Sequence, residues 1–450
     1  MVPVTTSADA GPLPGDVLDL TIGEVAHGGW CVARSDDGGG LVLFVRHALP
    51  GERVRAVVTQ RTAKLARADA VEILVPSADR VPPACPHARP DGCGGCDWQH
   101  ASLPAQRRLK AAVVRQQLSR IGGIDREVTV EPLPGDGEHP EPATTAGEAA
   151  GAGLGWRTRV TFAVDARGAA GLHKHRSHDV VEVGDCPIAH PDVNDTGITA
   201  QRWPGARSVQ VTVAPAADER AVLVSGPLRG TVPRVGADTV AMVGRSGQRT
   251  ALAGRGSLTE HAAGRDWRVD AAGFWQVHPA AADVLSAAVL AALDPQPGAV
   301  ALDLYCGAGL FAGVLARAVG PAGRVIGVEF DAAAVRDARH NLREWPWALV
   351  HRGDAGQVLT RNGVSGASLA VLDPPRTGAD RAVIDALIDA PAAGGGTLRR
   401  IAYVSCDPAT LARDLRLLVG GGWVLDGVRG FDAFPMTHHV ECLATLSRQP

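Results

Sequence analysis

Hydrophobic and polar positions change rhythm several times along the 450 residues. Up to about residue 75, short apolar runs alternate with glycine-rich breaks. "VLDLTIGEVA", "GWCVARS", "LVLFVRHAL" and "ERVRAVVTQ" read as strands, and "HGG" and "DDGGG" as turns. This succession predicts a small OB-like β-barrel over 13–75. "LPAQRRLKAAVVRQQLSRIGG" then has helical spacing and a stop at Gly122. From Trp156 to about Leu258 strand-like runs return ("RTRVTFAVD", "VVEVGD", "SVQVTVAP", "AVLVSG"), predicting an antiparallel sheet. From about Trp267, apolar runs at 300–304, 325–329, 347–350, 368–372 and 400–404 alternate with helical segments. That is the pattern of a doubly wound, mostly parallel, Rossmann-like α/β domain. The expected division is a barrel over 13–75, a central β domain from 76–130 and 154–262, and the α/β domain over 265–450. The stretch 131–153 is rich in Pro, Gly, Glu and Ala and reads as a flexible insertion.

Length and composition bound this picture. The chain is too long for one ordinary core. Hydrophobic content of 45% and charged content of 21% describe a soluble globular protein. A net charge of −3 gives no whole-molecule signal for nucleic acid, so any such surface must be a local patch. Two stretches qualify: Arg61, Lys64 and Arg67, and the helix carrying Arg107, Arg108, Lys110, Arg115 and Arg120 with no acid of its own. A basic helix is often a solvated face, but beside a nucleic-acid enzyme it is a candidate phosphate contact. The N-terminus has neither a basic start nor an apolar core, so it does not read as a signal peptide. Asp283 and Ser286 interrupt the Ala-rich run 280–293, which excludes a membrane span there. A cytoplasmic protein is expected, where eight cysteines suggest metal binding or catalysis before crosslinks.

"VALDLYCGAGLF" is a strand, a glycine turn and a helix start. Gly307 and Gly309 let the backbone approach a ligand, and Glu329 at the end of the next strand can accept from two ribose hydroxyls. The same spacing would suit a nicotinamide dinucleotide. Two details favour S-adenosylmethionine. The third glycine is missing, since Phe311 and Ala312 stand there, and "VLDPPR" places Asp373 with two rigid prolines at the fourth strand end. Asp354, in "HRGDA", is placed to contact the adenine, although an acid at a turn is as often simply exposed.

Cys306 lies in the glycine loop, where a small residue simply fits. Cys406, in "YVSCDPATLARDL", ends the fifth strand just ahead of a helix capped by Asp407 and Pro408. The helix end is expected to lower its thiol pKa. Beside a methyl donor, a thiolate that adds to C6 of a pyrimidine makes C5 nucleophilic; C5 takes the methyl group, and a base then removes the C5 proton so that the thiol leaves. "FPMTHHVECLATL" offers that base in Glu441, an acid interrupting an apolar strand. His438 and His439 are rivals better suited to shaping the loop. Upstream, Cys85, Cys93, Cys96 and Cys186 form a set suited to an iron–sulfur cluster or to zinc, and spacing alone does not choose.

Together, "YVSCDPATLARDL", "HHVECL", "LDLYCGAGLF", "GFWQVHP", "VLDPPR", "CPHARPDGCGGCDWQH" and "DCPIAHPDVN" resemble the RNA 5-methyluridine methyltransferase family, in particular its iron–sulfur-containing bacterial members acting on large-subunit ribosomal RNA. The resemblance covers nearly the whole chain. It implies an N-terminal TRAM barrel, Cys406 as nucleophile and Glu441 as general base. It implies Gln276, Tyr305, Glu329 and Asp373 on S-adenosylmethionine, and a [4Fe–4S] cluster on Cys85, Cys93, Cys96 and Cys186. Leu310 stands where some members carry a polar residue and is not assigned as a ligand. The expected partner is RNA, ribosomal before transfer RNA, bound by a monomer without a membrane. The rivals are a transfer-RNA uridine methyltransferase, a nucleic-acid N-methyltransferase using only the "DPP" loop, and a non-catalytic RNA-binding protein.

Overall fold

The computed structural model describes residues 12–34, 41–136, 152–244, 247–363, 366–390 and 398–448. The N-terminal strands β1 (Val17–Ala26), β2 (Trp30–Arg34), β3 (Val42–Arg46), β4 (Arg53–Arg61) and β5 (Leu65–Val75) close into a barrel in the order β1-β2-β3-β5-β4. Inward positions are small or β-branched: Val54, Ala56 and Val58 on β4 meet Ala66, Ala68 and Ala70 on β5. Small side chains let so few strands close without leaving a void. Trp98, Ala101 and Ala105 join the barrel core.

Helix α1 (Leu103–Gln117) is followed by a single π-helical turn to Gly122, and Gly123 ends it at φ +64. Its stop is where the periodicity places it. Its cationic face is so only in part. Lys110 is fully buried, paired with Asp432 and donating to the Phe434 carbonyl at 2.9 Å. Arg108 pairs with Asp79 at 2.6 Å and Arg115 with Glu127 at 2.9 Å. The acids lacking in the helix come from elsewhere in the chain; Lys110 is thereby internal bracing, while Arg108, Arg115 and Arg120 remain exposed.

The central region holds β7 (Arg159–Val164), β8 (Ala170–His173), β9 (Val180–Val181), β10 (Ser208–Ala214), β11 (Glu219–Ser225), β12 (Thr239–Val243) and β13 (Arg249–Ala253), in the order β13-β12-β11-β10-β7-β8-β9. Neighbours are antiparallel as expected, except β11 and β12, which run parallel. The short helix α2 (Pro191–Asp195) follows the loop of Cys186, and the hairpin β14 (Ser257–Ala262) and β15 (Arg265–Asp270) leads to the last domain.

That domain is built from α3 (Ala281–Leu293), β16 (Val300–Leu304), α4 (Leu310–Val319), β17 (Arg324–Glu329), α5 (Ala332–Asn341), β18 (Ala348–Arg352), α6 (Ala355–Asn362), β19 (Leu369–Leu372), α7 (Arg381–Ile388), β20 (Arg400–Ser405), α8 (Pro408–Gly420), β21 (Val424–Phe431) and β22 (Glu441–Ser447). The sheet order is β18-β17-β16-β19-β20-β22-β21-β6, where β6 (Val130–Glu131) comes from the segment before the insertion. β16 to β20 are parallel, and β22 is antiparallel between β20 and β21. β19 is buried along its whole length, the burial expected of a central strand with helices on both faces. The order reverses between β16 and β19, which opens a crevice at the carboxyl ends of the strands. Most of the 131–153 stretch lies outside the described residues. Its start is ordered: Leu133 is buried, and Asp136 meets His278 at 3.1 Å. Among the described residues no helix is long and apolar enough to cross a membrane.

Candidate active site at the carboxyl edge of the sheet

The chain leaves β16 through a turn that only unusual backbone can make. Tyr305, Gly307 and Gly309 have φ of +67, +53 and +91. Glycine takes such angles freely, whereas at Tyr305 they cost energy that the surrounding contacts must offset. The Tyr305 and Cys306 amides donate to the Val328 carbonyl at 2.9 and 3.1 Å, which pins the loop to β17. Glu329 ends that strand. Its Oε2 accepts from Gly307 N at 3.0 Å and its Oε1 from Asp331 N at 2.7 Å, so acid and glycine loop form one unit. A Cβ built on Gly307 meets nothing within 4 Å, so the loop faces open space. Cys306 is buried in the core, the packing role expected of it.

Asp373, at the end of β19, is half-buried, and burial pushes its carboxyl up to about 7. Tyr305 reaches the same region, its hydroxyl accepting from Asp380 N at 3.4 Å. Gln276 is buried in the loop before α3, and the adjacent Val277 carbonyl accepts from both the amide and the hydroxyl of Thr158, at 2.9 and 3.0 Å. Asp354 is the N-cap of α6, its Oδ1 accepting from Gln357 N at 2.9 Å, so one carboxylate oxygen already serves the helix.

The pair proposed for chemistry is set by strand register. β20 and β22 pair Ser405 with Cys442 as the last step of their ladder; Cys406 follows at the end of β20 and Glu441 begins β22, and the Glu441 charge acts on the thiol. Glu441 is only 4% exposed. Burial pushes its carboxyl well above the usual range, the Asp373 charge adds to this, and Arg376 opposes it. As expected, Asp407 caps α8, accepting from Ala409 N and Thr410 N at 3.0 and 2.8 Å, with Pro408 in the first turn. The expected lowering of the Cys406 thiol is not found. Burial first, then the Glu441 charge, pushes it up to about 12, with Arg376 the opposing influence. Burial and the charges of Glu441, Asp373 and Asp407 outweigh one helix end. His439 is pushed down to about 3 by burial, then by His438 and Arg376, which leaves it a weaker base than Glu441.

Several contributors escaped the sequence reading. Asp303 lies fully buried inside β16, its Oδ2 accepting from Ala312 N at 2.6 Å, and burial drives its carboxyl up to about 8. The acid inside "VALDL" was the available signal. Lys110 and Gln106 of α1 brace the loop that leads to Glu441; Met436 N donates to Gln106 Oε1 at 2.7 Å. From the barrel, His27 Nε2 comes within 3.5 Å of Asp407 Oδ2. Asp97, beside Cys96, takes His438 Nδ1 at 2.6 Å. No local pattern marks partners so far apart in the chain.

Cys85, Cys93, Cys96 and Cys186 line one cavity of about 230 Å³, together with Gln99 and Arg157. Gly95 N donates to Cys93 Sγ at 3.3 Å and Gln99 Nε2 to Cys96 Sγ at 3.2 Å. Burial raises the thiols of Cys93, Cys96 and Cys186. At Gly94 a Cβ would lie 2.6 Å from the His175 backbone, so the loop wraps this tightly only with glycine. Among the described residues no three His, Cys, Asp or Glu side chains converge closely enough to hold a single metal ion.

Comparison with known proteins bears on the whole chain. The family model described as tRNA (Uracil-5-)-methyltransferase matches residues 366–449, and that of the TRAM domain matches 13–71. A model of protein-L-isoaspartate(D-aspartate) O-methyltransferase matches 276–363, around the glycine loop. An RNA methyltransferase of Streptomyces avermitilis, described as uncharacterized, is 47% identical over 443 residues, covering 96% of this chain and 98% of the relative. A similarly described protein of Bifidobacterium longum is 36% identical, covering 96% of each. The crystal structure of a Pyrococcus abyssi tRNA (uracil-54, C5)-methyltransferase in complex with S-adenosyl-L-homocysteine aligns with a TM-score of 0.68 at 21% identity, covering 95% of this chain and 100% of that one. That likeness is one of fold.

Proposed function

The chain belongs to the RNA uracil-5-methyltransferase family with an N-terminal TRAM domain, and we propose that it transfers a methyl group from S-adenosylmethionine to C5 of a uridine in ribosomal RNA. The observation that supports the proposal is the Ser405–Cys442 pairing of β20 and β22, which brings the flanking Cys406 and Glu441 to the same strand ends. The Cys406 thiolate adds to C6 of the uracil, and C5 of the enolate so formed takes the methyl group, which S-adenosylmethionine would supply on conversion to S-adenosylhomocysteine. Glu441 then removes the C5 proton, and the enolate expels the thiolate. Burial and the Glu441 charge hold the Cys406 thiol above its ordinary value, so the attacking thiolate is the minor form in the free site. Once ionised, a carboxylate with a raised pKa is a stronger base than an exposed glutamate.

Glu329, tied to the glycine loop that faces open space, fits the ribose of S-adenosylmethionine. We place Gln276, Tyr305 and Asp373 around the same ligand, with Asp354 on the adenine side through its remaining oxygen. The four cysteines lining one cavity would hold a [4Fe–4S] cluster, with zinc as the alternative. Methyl transfer needs no electron, so the cluster would supply a structural or RNA-positioning role. The cysteine set is also what favours ribosomal over transfer RNA.

RNA carrying 5-fluorouridine tests the chemistry, because fluorine blocks the proton-removal step. A denaturation-stable protein–RNA adduct is expected that requires S-adenosylmethionine and disappears in Cys406→Ala. An adduct that persists in Cys406→Ala would overturn the nucleophile assignment. An N-methyltransferase would keep its activity in that variant. Mapping modified uridines in RNA from a deletion strain then separates ribosomal from transfer RNA.

A further inference from the structure

Three arginines crowd one indole ring at the seam between the barrel and the central domain. The guanidinium carbons of Arg46, Arg67 and Arg176 lie 6.0, 5.6 and 5.4 Å from the centre of the Trp30 ring. His175 meets the same ring edge-on at 5.5 Å. Cation–π attraction accounts for one such neighbour, but not for three like charges around one ring. The compensation available is small. Asp97 Oδ1 stands 3.9 Å from Arg46 Nη2, and Arg67 bonds the neutral Gln60 at 2.6 Å. Asp69, also near Arg46, is pushed upward by its burial, which weakens it as a counter-charge. Arg46 is 5% exposed, and its Nη2 has no hydrogen-bond partner among the described residues. Arg176 is exposed, held at φ +52, and among the described residues has no acidic partner. A partly desolvated excess of positive charge is thus held where the protein does not neutralise it.

The cluster is also wired to the reaction edge. The Asp97 carboxylate that faces Arg46 binds His438. The His438 ring lies 4.1 Å from that of His439 and 6.4 Å from that of His27. His27 in turn contacts Asp407, the neighbour of Cys406.

We infer that Arg46, Arg67 and Arg176, braced on Trp30, anchor a phosphodiester of the RNA beside the target uridine. The inference rests on the proposed RNA methylation. Turning a base out of its stack rotates the nucleotide about its backbone, so a fixed phosphate at this seam sets the pivot while the base enters between Cys406 and Glu441. The guanidinium forks of Arg67 and Arg176 match the two free phosphate oxygens, and the buried Arg46 adds its charge from beside Trp30.

The test is the double variant Arg67→Gln/Arg176→Gln in the full chain, which spares the buried Trp30 and Arg46. Binding of an unmodified large-subunit ribosomal RNA transcript, with a transfer RNA transcript as a second arm, is measured against salt concentration in a Cys406→Ala background. Affinity is expected to fall at least tenfold, and the log–log salt slope to become shallower by about one, as for a lost phosphate contact. In the active enzyme the loss should fall on KM for RNA, with affinity for S-adenosylmethionine unchanged. Arg167→Gln, which removes one exposed arginine already paired with Asp165 and Glu182, is the control for loss of surface charge elsewhere and should leave binding unchanged. Affinity within twofold and an unchanged slope would overturn the anchor, as would an equal loss in the control. Binding is read here without methyl transfer, so failure of the C5 chemistry would show in the fluorouridine experiment and not in the salt slope.

Discussion

Two glutamates are almost completely buried, and the molecule treats them oppositely. Glu52, at the foot of the barrel, is 0% exposed. Arg80 grips it with two bonds of 2.6 and 2.7 Å, and the Leu49 and Ser77 amides add bonds of 2.8 and 3.1 Å. Burial alone would raise its pKa, but these partners hold it below the usual value. Glu441, at the reaction edge, receives no hydrogen bond among the described residues, and its pKa moves the other way. At the foot of the barrel the buried acid has its partners. The crevice leaves an acid, a thiol and the Asp373 carboxyl short of partners, which is what a site that must exchange protons with a substrate requires. Lys110 and Asp432 show the first pattern again, bracing the loop that presents Glu441.

The largest effect that would sharpen this contrast is Glu441→Gln. Turnover is expected to fall by about 10²–10⁴, with a covalent adduct accumulating on ordinary RNA. The variant should melt no lower than the parent at pH 8, because it loses a buried acid without partners. A marked drop in melting temperature would erase the distinction between the two glutamates. Next comes Glu52→Gln, which leaves Arg80 without its charge partner. It should cost about 3 kcal/mol, read by urea denaturation, while S-adenosylmethionine binding persists below the transition. Lys110→Met should cost a similar amount through the stranded Asp432.

Smaller is the dependence of stability on pH. Asp303 and Asp373 have folded-state pKa values of about 8 and about 7, against about 3.9 unfolded. Each therefore takes up a proton on folding. Their contribution is full below about pH 4 and is lost as pH rises through 7 to 8. The melting temperature should fall over that window, and Asp303→Asn, which keeps the acceptor for Ala312 N, should flatten the profile. An unchanged profile in that variant would show that Asp303 is ionised in the fold. The smallest expected change is Asp407→Ala, with about 1 kcal/mol lost through the cap of α8.

Much of the architecture was legible because it is local. The apolar runs at 300–304 and 400–404 are β16 and β20, and the Asp407–Pro408 cap starts α8 where residue chemistry alone placed it. The α1 basic residues show the limit of periodicity: Lys110 is buried and paired, while Arg108 and Arg115 stay exposed beside acidic partners. Their partners Asp79, Glu127 and Asp432 lie outside the helix, and periodicity carries no information about them. The same limit hid the contact of His27 with Asp407.

By itself, the order of residues determined which segments are strands and helices, where the glycine loop turns, and which residue types stand at the strand ends. Those outcomes follow from backbone sterics and hydrophobic periodicity over a few residues. Only the tertiary structure decided that Cys406 and Glu441 come to the same strand ends, that four distant cysteines share one cavity, and that the thiol is raised and not lowered. Pairing register, desolvation and the field of neighbouring charges depend on groups brought together across the fold, so no local pattern encodes their sum.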